Sequence, residues 1–198
     1  MSSIVGKIIK IGSLGLVAVV FVSLQFGTGV AVVDSTVDDV AEPIANYSAS
    51  TEANATAVER MVHAEVNRER EANGLQPIAY DDELAAIAAG HSEDMAEGDY
   101  VSHTQPDGDG MRERYNQAGY ACSGGGENVA QTWWRESIDT GEETVEYDTE
   151  QELAAGIVAQ WMQSPGHRKN ILRTGWRVEG IGVEITNSGE VFVTQNFC

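Results

Sequence analysis

A run of 23 residues without a single charge, Ile11–Val33, decides how the rest of the chain can be used. As a helix it is long enough to cross about 30 Å of hydrocarbon. Lys7 and Lys10 precede it, and Asp34, Asp38 and Asp39 follow. That asymmetry keeps the basic flank in the cytoplasm and sends everything after residue 33 outward. A cleaved signal peptide is the alternative reading. Leu14 to Phe26 would be its apolar core, and Gly29-Val30-Ala31 supplies small residues before a cut. Under either reading the remainder is extracellular, anchored at the cell surface or secreted.

The outward part has two sections. Residues 34–55 are rich in Asp, Ser, Thr and Ala and low in large apolar side chains, the composition of a flexible acidic linker. Asn46 and Asn54 each open an Asn-X-Ser/Thr glycosylation pattern there. Residues 56–198 hold both Cys and all four Trp, and this stretch of roughly 140 residues is large enough to bury one core. All 31 carboxylates lie after residue 33, against nine Arg and one Lys. Such a surface repels nucleic acid and anionic lipid. The near-absence of Lys while Arg persists points to adaptation to high salt, where repulsion among carboxylates is screened.

Periodicity places helices at 56–73, 81–97, 111–118 and 150–163. Val58, Met61, Val62 and Val66 face inward from the first, and Leu84, Ile87, Ala88, His91 and Met95 share a face of the second. Leu153, Ile157, Val158 and Trp161 do so in the long helix near residue 150. Ser164-Pro165 reads as a further helix start, with Ser164 as cap. Gly124 to Gly126 reads as a loop, and the carboxylate-rich 135–149 as a solvated loop. Strands are predicted at 128–134, 179–186 and 190–197, the last two joined by a turn at Asn187-Ser188-Gly189. Helices first and a terminal hairpin suggest an α+β fold on a mostly antiparallel sheet. Cys122 and Cys198, an even count in an oxidising compartment, are expected to form one disulfide.

Four segments, in order, resemble the CAP superfamily of cysteine-rich secretory proteins, antigen 5 and pathogenesis-related 1 proteins. The first is His91-Ser92-Glu93-Asp94-Met95 leading to Tyr100-Val101-Ser102-His103-Thr104. The second is Gly126-Glu127-Asn128-Val129-Ala130. The third, Trp161-Met162-Gln163-Ser164-Pro165-Gly166-His167-Arg168-Lys169-Asn170-Ile171-Leu172, is similar to the microbial branch. The fourth is Gly180-Ile181-Gly182-Val183 with the closing Val193-Thr194-Gln195-Asn196-Phe197. The resemblance implies an α-β-α sandwich, with helices on both faces of the sheet. It also implies a cleft lined by two His and two Glu, in some members with a divalent metal between the His. By match, the cleft residues here are His103, Glu127 and His167. A second Glu is expected shortly after Trp161, where Met162, Gln163 and Ser164 stand instead.

The residues by themselves leave each role open. His103 sits in a turn-rich stretch, where a His is usually just solvated. His167 falls in the first turn of a helix, where the positive helix end keeps an imidazole neutral and metal-competent; it could equally pack or hydrogen-bond a backbone group. Glu127 could pin its glycine loop or act as a cleft carboxylate. His91 reads as a core histidine, and Trp133, Trp134, Trp161 and Trp176 as core or cleft walls.

Three function classes follow. The first is a non-enzymatic extracellular module for a lipid-like, envelope or protein ligand. The second is a metal-dependent, peptidase-like hydrolase with His103 and His167 on a zinc and Glu127 as general base. The third is a tethered surface domain whose acidic face organises cations or neighbouring proteins.

Overall fold

Capping chemistry sets where the helices begin and end. In the computed structural model, which describes residues 53–139 and 144–198, helix α1 (Ala55–Ala72) starts where the Asn54 side chain accepts the Ala57 N–H at 3.0 Å. It ends at Gly74, whose φ of 75° is costly for a residue with a Cβ. Strand β1 (Ala79–Tyr80) leads to α2 (Asp82–Gly98), capped by Asp81 through the Leu84 N–H at 2.8 Å. After α3 (Met111–Ala118) come β2 (Gly126–Trp133) and two short paired strands, β3 (Ile138–Asp139) and β4 (Thr144–Val145). Helix α4 (Glu150–Gln163) opens with a reciprocal Thr149/Glu152 box. Helix α5 (Pro165–Ile171), β5 (Val178–Ile185) and β6 (Glu190–Phe197) complete the described chain.

The main sheet runs β1-β5-β6-β2. All its pairings are antiparallel except β1 with β5. Strand alternation splits its side chains between two helical layers. Ala130, Ile181, Val183, Val191, Val193 and Phe197 pack with Val58 and Val62 of α1 and with Leu153, Ile157 and Trp161 of α4. Val129 and Phe192 point the other way, onto Met95 of α2. The α-β-α sandwich of the sequence reading is thus present. Helix α2 lies unusually close to β5, because a Cβ on Gly180 would stand 2.2 Å from Ala85 N and one on Gly182 2.0 Å from Ala89 N. Ser92 spans the same contact, donating to the Gly182 carbonyl at 2.9 Å.

Several details differ from the sequence reading. Strand β1 was not predicted, since two residues carry no period. The stretch 135–149 contains the β3–β4 pair rather than only loop. Gly126 opens β2 instead of closing a loop. Ser164 occupies the cap position of α5, but its side chain makes no capping bond. The expected linker 34–55 ends in ordered structure, for Asn54 caps α1. The apolar run 11–33, Asn46 and the rest of that linker lie outside the described residues. Among the described residues no helix is long and apolar enough to cross a membrane. Cys122 and Cys198 form the disulfide, with Cα atoms 5.8 Å apart, tying the loop before β2 to the end of β6.

Candidate functional site

Strand β2 is an edge of the main sheet, and the two helical layers meet around it. Glu127 points to the α2 side and Asn128 to the α1/α4/α5 side, so one edge strand serves both layers. Glu127 is 8 % exposed. Its Oε1 lies 2.9 Å from Nδ1 of His103, and its Oε2 accepts from Arg114 at 2.5 Å. Both carboxylate oxygens are therefore engaged.

Arg114 comes from α3 and is itself buried. Besides Glu127 it reaches the carbonyls of His103 and Asp109, at 3.4 and 3.3 Å. It thereby holds both ends of the loop that presents His103. The sequence reading overlooked Arg114 entirely. One signal was available: two Arg flanking a single Glu, Arg112-Glu113-Arg114, on a short helix upstream of Glu127.

His167 approaches from the other layer on α5. Its ring centre is 6.4 Å from that of His103, and the rings meet edge to face. Burial, and secondarily the neighbouring His103, hold the His167 imidazole below the ordinary histidine range, so it is neutral at pH 7. Its Nδ1 is buried without a hydrogen-bond partner among the described residues. The structure thus brings His103, Glu127 and His167 together from three separate segments. His103 is exposed, with 55 % of its side chain accessible, and Glu127 is almost fully covered.

A hydrolytic zinc centre fits these donors poorly. No group of three or more His, Cys, Asp or Glu able to hold a metal occurs among the described residues, and Glu127 is already held by His103 and Arg114. The two histidines alone come closer to fitting. A tetrahedral ion bound at 2.0–2.1 Å to two imidazoles sets their ring centres about 5.3 Å apart. From the observed 6.4 Å the rings would have to close by about 1 Å.

His91 is the core histidine that the sequence suggests, 1 % exposed and bonded through Nε2 to the Ser102 carbonyl at 2.8 Å. Trp134, Trp161 and Trp176 are buried, Trp161 donating to the Val129 carbonyl at 3.2 Å. Trp133 is half-buried. A hollow of about 430 Å³ between α2 and α3 shares Arg114 with the site and is also lined by Ile87, His91 and Gln105.

The protein YkwD of Bacillus subtilis is 30 % identical over 150 residues, which are 76 % of this chain and 51 % of YkwD. The membrane protein YlbC of the same organism is 30 % identical over 142 residues, 72 % of this chain and 34 % of YlbC. The chain therefore spans about half of the length of one of these curated relatives and about a third of the other. An extracellular SCP-domain protein of Bacillus anthracis superposes with a TM-score of 0.54 at 27 % identity, covering 72 % of this chain and 40 % of that one. An outer surface protein of Borrelia burgdorferi shares the fold, with a TM-score of 0.59 at 17 % identity over 73 % of this chain and 93 % of that one. Residues 63–197 match the profile of the cysteine-rich secretory protein (CAP) family, and the chain belongs to that family.

Proposed function

We propose that this CAP domain is an extracellular binding module, on the cell surface or secreted, and that its edge cleft receives a ligand or partner without turning it over. The observation that carries this reading is the state of Glu127. A general base must be reachable by the water or substrate whose proton it takes, and Glu127 is almost fully covered. Glu127 has one oxygen against His103 Nδ1 and the other under the Arg114 guanidinium. A carboxylate held this way shapes and rigidifies a site. The accessible His103 and the adjoining hollow beside Arg114 give a ligand polar and apolar surface. Lipid-like molecules, envelope components and proteins are the candidate classes. The test is peptidase and esterase activity with zinc present, alongside binding of envelope fractions to wild type and to a His103→Ala variant. Turnover that disappears in Glu127→Gln would overturn the binding reading.

A divalent ion between the two histidines is a second reading, favoured by the neutral His167 ring with its unpartnered Nδ1. Calorimetry with zinc should then give one site that either His103→Ala or His167→Ala abolishes. No heat of binding in the wild type removes this reading and leaves the first.

A further inference from the structure

His167 and Glu127 sit on different elements, and their neighbouring backbone is joined by a line of amide side chains. On the α1/α4/α5 face, Asn128 of β2 donates from Nδ2 to Gln195 Oε1 at 2.8 Å and to the His167 carbonyl at 3.3 Å. Asn170 of α5 donates from Nδ2 to Asn128 Oδ1 and to the Glu127 carbonyl, each at 2.9 Å. Gln195 of β6 in turn donates from Nε2 to Glu179 Oε2 at 2.6 Å. Glu179 is fully buried, as are Gln195 and Asn128.

We propose that Glu179 is a positioning residue for the cleft: its buried carboxylate anchors one end of the Gln195–Asn128–Asn170 chain and so holds the helix of His167 against the strand of Glu127.

Hydrogen-bond polarity carries the argument. An ionised carboxylate accepts only. It turns the Gln195 NH₂ toward itself, which presents the Gln195 oxygen to Asn128. The Asn128 NH₂ must then face Gln195, which leaves its oxygen for Asn170. From the other end the His167 and Glu127 carbonyls, which also only accept, draw the NH₂ groups of Asn128 and Asn170 the same way, so the buried carboxylate anchors one end of a chain whose direction both ends impose.

The other arm obeys the same rule. Asn67 of α1 is fixed by two bonds to Ile78, donating to its carbonyl at 3.0 Å and accepting its N–H at 2.8 Å. Its Nδ2 also faces His63 Nε2 at 3.2 Å. That nitrogen is then the acceptor, so the proton sits on His63 Nδ1 and is donated to Glu179 Oε1 at 2.6 Å. Donors converge on Glu179 from both sides, and no place remains for a proton on its carboxyl. Burial raises the Glu179 pKa above its ordinary value, and His63, Gln195 and Arg70 offset this only in part. It is the donor on each oxygen, His63 Nδ1 and Gln195 Nε2, that favours the carboxylate where a neutral isostere would be easier to bury. What the charge supplies, and an amide cannot, is an acceptor on both oxygens.

The test uses Glu179→Gln and Gln195→Met in the full-length chain, held in detergent. Val62→Ala serves as a control that weakens the same core without touching the chain. NMR follows the His167 ring resonances and the exchange of the Arg168 and Leu172 amides, which bond to Ser164 and Arg168 on α5. Both chain variants should shift the His167 ring and speed exchange at α5 about tenfold beyond the control. Exchange and ring shifts equal to those of the control would overturn the positioning role. Should Glu179→Gln not fold, Gln195→Met alone decides, since it leaves the His63–Glu179 pair in place. The proposal rests on the cleft reading only for its functional meaning. The readouts need no ligand, so a failure here is distinguishable from a failure to bind one.

Discussion

Replacing Arg114 by Met should destabilise the domain by about 3–5 kcal/mol, the usual effect of stranding one member of a buried ion pair. The geometry places this pair in that class. The Arg114 and Glu127 side chains are 7 % and 4 % exposed, and the contact is 2.5 Å. Without Arg114 the carboxylate keeps only His103, itself largely in solvent. The two further bonds lost, to the His103 and Asp109 carbonyls, are long at 3.4 and 3.3 Å and add little. Against a total stability of about 5–15 kcal/mol the loss is large. At about 2–4 °C per kcal/mol it corresponds to a fall in Tm of roughly 6–20 °C. Urea and thermal unfolding of wild type, Arg114→Met, Glu127→Met and the double variant form a cycle. Removing both charges should bring stability back to within about 1–2 kcal/mol of wild type, since an apolar pair of similar volume does about as well as a buried ion pair. A single-variant cost below about 1 kcal/mol, as for an exposed pair, or strictly additive losses, would refute the reasoning.

Opening the Cys122–Cys198 bridge by a double Ser substitution should remove up to about 4 kcal/mol, the chain-entropy value for a loop of this size. Denaturant midpoints measure it, and thiol labelling of the unreduced wild type should find no free thiol. Gly182→Ala should cost roughly 1–3 kcal/mol or more, because its Cβ would stand 2.0 Å from Ala89 N in the α2 backbone; a neutral effect in thermal melts would contradict the close packing of α2 on β5. Burial, followed by Arg114, holds the His91 pKa below its ordinary 6.5. The folded state then takes up that proton less readily than the unfolded chain, so His91 adds a stability loss as pH falls through 6.5 toward its folded pKa. Urea midpoints of His91→Gln should accordingly be flatter with pH than wild type in that range. With a net charge of −19, Tm should climb from low salt to 1 M, where screening shortens to about 3 Å; a flat or falling curve would remove the high-salt reading.

What the sequence determined by itself was mostly local. Helix limits were readable within a residue or two because caps and stops are short-range chemistry: Asp81 before α2 and Gly119 after α3. The α+β class followed from helical periods and the closing hairpin. The meeting of His103, Glu127 and His167 was legible only through family resemblance, since 64 residues separate the two histidines. The disulfide followed from a count of two.

Tertiary structure alone decided the partners. Arg114 lies on a short polar helix and drew no reading from the sequence, yet it is buried against Glu127 on the edge strand. His63, passed over as one more residue of α1, faces Glu179, 116 positions away. Glu179, Gln195, Asn128 and Asn170 come from three strands and a helix; three of them fall in the family-like segments, but no period shows that they meet. A local pattern records which face of an element is apolar. It does not record which buried polar groups will meet across a sheet, because that depends on strand order and register, and one residue of slip would turn each of these side chains to the opposite face.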